Sequence, residues 1–270
     1  MAGFHAEVIS DTHLNLWKYN DSQIAAIFPG SNGTPGSEPN LILAGDIGDP
    51  DEASLYKALN IARQKYKRVI YIPGNHEFYN IEPGSKKTPA SVLNWFQRLD
   101  DQWSNFHFFY RRNELIDGIR VLGATGWSTS PKMTAWSNNI SEEGKKDIDF
   151  LDQGLSHSKE PVLVITHYPS TLRVLQENYK YKISQYDYAQ DLERLYRPPL
   201  KTWIFGHVHQ KHDFMIPYSS VAGQGEVRIL CNPYGYPNEG ITCALPKQFS
   251  VFNSKKDAVK SPYGMSYQTL

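Results

Sequence analysis

Five short apolar runs in this chain share one pattern: hydrophobic residues, then an abrupt switch to residues that carry imidazole, carboxylate or amide groups. Val8-Ile9 leads into Ser10-Asp11-Thr12-His13, Leu41 to Ala44 into Gly45-Asp46, and Val69 to Ile72 into Pro73-Gly74-Asn75-His76-Glu77. Val162 to Ile165 leads into Thr166-His167, and Trp203 to Phe205 into Gly206-His207-Val208-His209. Continuous apolar runs of this length predict strands buried on both faces, as in a parallel sheet covered by helices. Open α/β sheets hold ligands at the C-terminal ends of such strands. The two histidines of the last run stand two residues apart, so on an extended chain they point the same way, and Gly206 permits close approach of the backbone. A lone H-x-H is equally a pair of surface histidines. Five strand ends delivering Asp, His and Asn to one edge have no packing explanation and predict a metal site.

Between the runs the period changes. A short helix is expected near Ser22 to Phe28. Asp49-Pro50 has the form of an N-cap followed by proline at the first helical position, and Leu55, Leu59, Ala62 and Tyr66 follow at helical spacing. Thr88-Pro89 opens a second such helix, with Val92, Phe96, Leu99 and Trp103 as its buried face. The resulting βαβαβ order implies a parallel sheet with right-handed crossovers. Further strands are expected at Phe106 to Phe109, Ile119 to Ala124, Val227 to Cys231 and Phe249 to Phe252. A helix is expected at Ser141 to Ser156, packing through Ile148, Leu151 and Leu155. The segment Gly126 to Asn139, with Trp127 and Trp136, is expected to form a loop over the site. The tyrosine-rich stretch Tyr179 to Tyr188 is expected to be a solvated helical hairpin, and the chain is expected to fray from about Asp257.

Composition narrows the classes. With 270 residues and 40% hydrophobic content, residues 1–270 are expected to form a single domain. The 28 basic and 28 acidic residues cancel, so no global field draws nucleic acid or an anionic membrane. No apolar run approaches the ~20 residues of a membrane span and none precedes the first strand, which predicts a soluble, cytoplasmic protein. Cys231 and Cys243 have no zinc-binding spacing and are expected to stay reduced.

In order and spacing, D-T-H at Asp11, G-D at Asp46, G-N-H-E at Asn75, the lone His167 and G-H-V-H at His207 resemble the five motifs of the calcineurin-like metallophosphoesterase superfamily. The resemblance implies an α/β protein, a four-layer αββα sandwich of two mixed sheets with flanking helices. It implies a two-metal centre in which Asp11, His13 and His209 hold one ion, Asn75, His167 and His207 hold the other, and Asp46 bridges them. Mixed imidazole and carboxylate ligands suit Mn, Fe or Zn, divalent or trivalent, rather than Mg or Ca. A hydroxide bridging two such ions would attack phosphorus. His76 would donate a proton or hydrogen bond to the leaving oxygen. Asp49 matches an acidic position that orients this histidine in related phosphatases; a helix cap explains it equally well.

The chain departs from the serine/threonine phosphatases in lacking both phosphate-clamping arginines: Asp49 is followed by Pro50-Asp51, and Glu77 by Phe78-Tyr79-Asn80. The expected substrate is therefore a small-molecule phosphomonoester or phosphodiester, cyclic nucleotides included. A non-catalytic binding scaffold and a nuclease of the same superfamily are the alternatives; filled motif positions count against the first and neutral charge against the second. Glu77 is expected to brace its loop. His5, His107, His157 and His212 lack a motif partner and are expected to be surface or hydrogen-bonded structural histidines. Phe78, Tyr79, Trp127 and Tyr168 are read either as an aromatic wall or as core.

Overall fold

A computed structural model describes residues 4–17, 19–30, 38–79, 86–128, 135–176, 183–239 and 246–251. The strands are β1 (Phe4–Ile9), β2 (Asn40–Ala44), β3 (Arg68–Ile72), β4 (Phe106–Phe108), β5 (Arg112–Ile116), β6 (Ile119–Gly123), β7 (Val162–Ile165), β8 (Leu200–Phe205), β9 (His212–Ser220), β10 (Gly223–Cys231) and β11 (Lys247–Val251). The helices are α1 (Asp21–Ile27), α2 (Ala53–Lys65), α3 (Pro89–Gln102) and α4 (Ala135–His157).

The strands form two sheets, ordered β11-β1-β2-β3-β4 and β5-β6-β7-β8-β10-β9. The interior of each is parallel, β1 through β4 in one and β6-β7-β8-β10 in the other. The outer strands β11, β5 and β9 pair antiparallel. Both sheets are therefore mixed, as the motifs implied.

Alternation along each strand assigns the layers. In β2 and β3, Leu41, Leu43, Val69 and Tyr71 pack with Leu55, Leu59 and Phe96 of α2 and α3. Their neighbours Ile42, Ala44, Ile70 and Ile72 face Leu163, Ile165, Ile204 and Leu230 of the other sheet. That sheet turns Leu122, Val164, Trp203 and Phe205 outward against Leu151 and Leu155 of α4. Every one of these side chains is buried, which is why the parallel strands read as unbroken apolar runs. Complete burial of each such side chain stabilises the fold by roughly 1.5–3 kcal/mol.

Helix starts follow local chemistry. Thr88 caps α3 through Ser91, with Pro89 in its first turn as expected, and Asn20 with Gln23 closes a capping box on α1. The expected start of α2 is corrected: Glu52, not Asp49, is its cap residue, and Asp49 spends its carboxylate on the turn before it, accepting from Asp51 N at 3.0 Å. Helix α4 begins at Ala135, earlier than Ser141, so the expected loop to Asn139 is shorter, and residues 129–134 lie outside the described ones. Strands β5 and β9 were not anticipated: as outer strands they alternate exposed and partly buried residues, and the short apolar stretch of β9, Phe214-Met215-Ile216, runs straight into Pro217. Of the tyrosine-rich stretch, residues 177–182 lie outside the described ones, and Ile183–Asp187 form a single 3₁₀ segment rather than half of a helical hairpin. Cys231 is buried and free; Cys243, Trp136 (as a side chain) and the segment from Asp257 lie outside the described residues. No helix among the described residues is long and apolar enough to cross a membrane.

Candidate metal centre

The C-terminal ends of β1, β2, β3, β7 and β8 meet at one edge of the sandwich, and backbone bonds stitch them together. Asp11 N donates to Gly45 O at 2.9 Å, His13 N to Asp46 O at 3.0 Å, and Gly206 N to His167 O at 2.9 Å. Carboxylates do the same: Asp11 Oδ1 accepts from His207 N at 2.9 Å and Asp46 Oδ1 from His76 N at 2.8 Å. Each acid thus fixes the loop of another strand with one oxygen, Asp11 across to the second sheet and Asp46 to the adjacent β3.

Five of the expected ligands sit in the left-handed backbone region: Asp11 (φ 55), His13 (44), Asp46 (56), His207 (72) and His209 (48). Non-glycine residues pay roughly 1–3 kcal/mol each for such conformations, which persist where the surroundings over-determine them, often at functional sites. The approach of the loops also needs two glycines. A Cβ on Gly74 would run into Asp46 Oδ1, and one on Gly206 would lie 2.8 Å from both Ala44 O and Asp11 Oδ2. The space the sequence pattern reserved at Gly206 is thus taken by the Asp11 carboxylate and the end of β2.

Among the described residues three groups of donor atoms result, each within 4.8 Å: Asp11, His13 and His209; His13, Asp46 and His76; and Asp46, His167 and His207. His13 Nε2 and His209 Nε2 stand 3.1 Å apart, and His209 Nε2 is 3.5 Å from Asp11 Oδ1. His167 Nε2 lies 3.2 Å from Asp46 Oδ2 and 3.0 Å from Asn75 Oδ1. Its Nδ1 is 2.9 Å from Ala44 O, so the backbone carbonyl accepts that N–H and aims Nε2 at the two oxygens, to which it donates in the absence of a cation. Buried oxygen and imidazole donors converging without lysine or arginine among them fit transition-metal cations.

The electrostatics agree. Burial pushes His167 down, but Asp46, with Asp11 behind it, outweighs burial and holds its pKa at about 9. His209 is raised to about 9 because Asp11 and Glu239 overcome its burial. Burial dominates at His13 and His207, which fall to about 4 and about 3. Asp46 is fully buried, yet the imidazoles around it, led by His167, hold it well below the usual carboxylate range. Without a cation, then, the two carboxylates attract protons onto their nearest imidazoles.

Glu77 does brace the loops: its buried carboxylate accepts from Ile47 N and Gly74 N at 2.8 Å, Asp46 N at 3.1 Å and Tyr71 Oη at 2.7 Å. Asp49 is placed differently from Glu77. It pairs with Lys87 Nζ at 2.7 Å, and no hydrogen bond joins it to His76 among the described residues. The His76 ring instead meets the Tyr236 hydroxyl at 2.9 Å through Nε2. Of the histidines set aside, His5 bonds Ser250, His107 pairs with Glu114 and His157 with the Gln153 carbonyl; none lies in the donor groups. Phe78, Trp127 and Tyr168 are buried and ring-packed, so core packing accounts for them, although Tyr168 also lies 4.2 Å from the His207 ring. Tyr79 lines an open cavity of about 510 Å³ over the donors, along with Asn75, His76, Leu175, Tyr188 and Tyr236. Tyr236 and Glu239 went unread in the sequence, where the segment Asn232-Pro233-Tyr234-Gly235 registers only as a turn between strands.

Fold and site together define a protein with phosphoesterase architecture and a cation-ready edge. The chain belongs to the calcineurin-like phosphoesterase family, whose sequence model matches residues 8–211, and it is a metal-dependent phosphoesterase by that membership. It is 25% identical to the uncharacterized protein L509 of Acanthamoeba polyphaga mimivirus, over 73% of this chain and 82% of that one. Among solved structures it resembles the phosphopantetheinyl hydrolase PptH of Mycobacterium tuberculosis, with a TM-score of 0.62 at 17% identity, covering 92% of this chain and 96% of that chain. That likeness is one of fold.

Proposed function

We propose that this protein hydrolyses a small phosphomonoester or phosphodiester with two transition-metal cations. Asp11, His13 and His209 would hold one, Asn75, His167 and His207 the other, and Asp46 both. The observation that carries this reading is Asp46: one buried carboxylate belongs to donor groups on both sides, with His13 and with His167 and His207. Cations bound there supply Lewis acidity and a water acidic enough to attack phosphorus near neutral pH. The chain's own groups do the rest. Asp11 and Asp46 hold the strand ends at fixed separation through their backbone bonds, and Glu77 holds the Asp46 loop from behind. His76 lines the cavity beside them, half-buried. Burial lowers its pKa, so at neutral pH it offers a neutral N–H to the leaving oxygen. No lysine or arginine lines the cavity among the described residues, in keeping with a small ester held by the centre itself rather than by an arginine clamp.

One observation favours a second role for His76: with His13 and Asp46 it forms a donor group of its own, so it is placed to act as a ligand. His76→Ala separates the two. A leaving-group donor should lose roughly 10²–10⁴-fold on alkyl phosphoesters and much less on nitrophenyl esters, with metal content unchanged. Loss of bound metal would make His76 a ligand, and absence of hydrolysis by metal-reconstituted wild type across monoesters, diesters and cyclic nucleotides would favour the binding scaffold.

A further inference from the structure

Past the last motif-bearing strand, the turn after β10 folds back over the donor groups. Its backbone is tied to the first of them: Tyr234 N donates to Ser10 O at 2.8 Å and Gly235 N to Asp11 O at 2.9 Å. Asn232 Nδ2 donates to Val8 O at 2.8 Å, so the turn is anchored along the end of β1. Two side chains then reach the site. Glu239 Oε2 lies 2.7 Å from His209 Nδ1, on the side of the ring away from Asp11 and His13. The same oxygen accepts from Tyr236 N at 2.7 Å, and Glu239 N donates to Tyr236 O at 3.1 Å, so the carboxylate is pre-set by its own turn. The Tyr236 ring lies 4.4 Å from those of both His13 and His209, and its hydroxyl is 2.9 Å from His76 Nε2.

Resting on the reading above, we propose that this turn is the outer layer of the metal centre: Glu239 is a positioning residue for His209, and Tyr236 for His76. Glu239 is about one-third exposed, and solvent screens much of what its pair with His209 adds to stability, so holding the fold together does not account for it. It does set the ring: with Nδ1–H given to Glu239, Nε2 is turned toward Asp11 as the atom left to bind a cation, and a carboxylate behind the imidazole raises its basicity as a ligand. Tyr236 fixes the second imidazole by the same logic, acting on the leaving-group side of the site.

The test is calorimetric titration of Mn(II) into metal-stripped full-length protein, beside the thermal midpoint of the metal-free form. Glu239→Ala should weaken one of the two binding events 10–100-fold and spare the other, with the metal-free midpoint unchanged at pH 10, where His209 is neutral in both proteins. Glu239→Gln, which keeps an acceptor, should lose less, and serves if the alanine variant folds poorly. Two wild-type binding events in Glu239→Ala would overturn the proposal, as would equal weakening of both with a lowered midpoint, the mark of a merely structural turn. Tyr236→Phe should keep both events, lower kcat on alkyl phosphoesters more than it changes KM, and have no further effect in a His76→Ala background. An equal loss in that background would overturn the link between Tyr236 and His76. A wild type that takes up no Mn(II), Fe or Zn would instead overturn the metal reading of the whole site, and this proposal with it.

Discussion

Replacing Glu77 by glutamine tests whether the site is held from behind. The carboxylate accepts four bonds of 2.7–3.1 Å: Ile47 N and Tyr71 Oη at one oxygen, Asp46 N and Gly74 N at the other. Glutamine keeps the shape but turns one oxygen into a donor. In either orientation two of the four partners lose their acceptor, and at least one is a backbone N–H with no water to turn to, because residue 77 is fully buried. At ~1–3 kcal/mol for each stranded group, Glu77→Gln should cost about 2–6 kcal/mol. That is a large share of the ~5–15 kcal/mol by which domains are stable. Tyr71→Phe removes one of the four bonds and leaves three backbone N–H groups satisfied, so it should cost about 1–2 kcal/mol. Urea unfolding of the metal-free variants, followed by tryptophan fluorescence and circular dichroism, measures both. The donors stranded by glutamine include those of the Asp46 and Gly74 loops, so metal affinity should fall in Glu77→Gln and hold in Tyr71→Phe. A Glu77→Gln protein within 0.5 kcal/mol of wild type, or a costlier Tyr71→Phe, would refute the bracing role.

Asp46→Asn should lower turnover of the metal-loaded protein more than Asn75→Ala, since Asp46 joins both donor groups; steady-state rates at matched metal content check this, and equal damage would contradict the sharing. Cation uptake should release about two protons at pH 7, because His167 and His209 are held near 9 while His13 and His207 are already neutral; calorimetry in buffers of different ionisation enthalpy counts them. The same raised values give the metal-free protein stability that is fully present below about pH 6.5 and lost as pH rises toward 9, so its thermal midpoint should fall over that window, and a midpoint that rises would show the protons are not there.

The strands that carry the donors were legible in the sequence because burial on both faces leaves no freedom of composition. Leu41 to Ala44 and Val69 to Ile72 must be apolar throughout when helices cover one side and a second sheet the other. A switch from such a run to Asp, Asn or His is a local signal, and the order of five switches carried the family and the layered fold with it. What lay beyond sequence was decided by contacts between distant segments. Asp49 had two local explanations, and Lys87, 38 residues on, made it an ion pair instead. Outer strands β5 and β9 alternate too weakly to announce themselves, since one face meets solvent. Tyr236 and Glu239 sit in an ordinary turn, and only its docking on Ser10 and Asp11 brings them to His76 and His209, 160 and 30 residues away. Residue type and spacing determine which groups can bind a cation; which of them share an oxygen, and what stands behind each imidazole, is decided by how two sheets and their loops close on one edge.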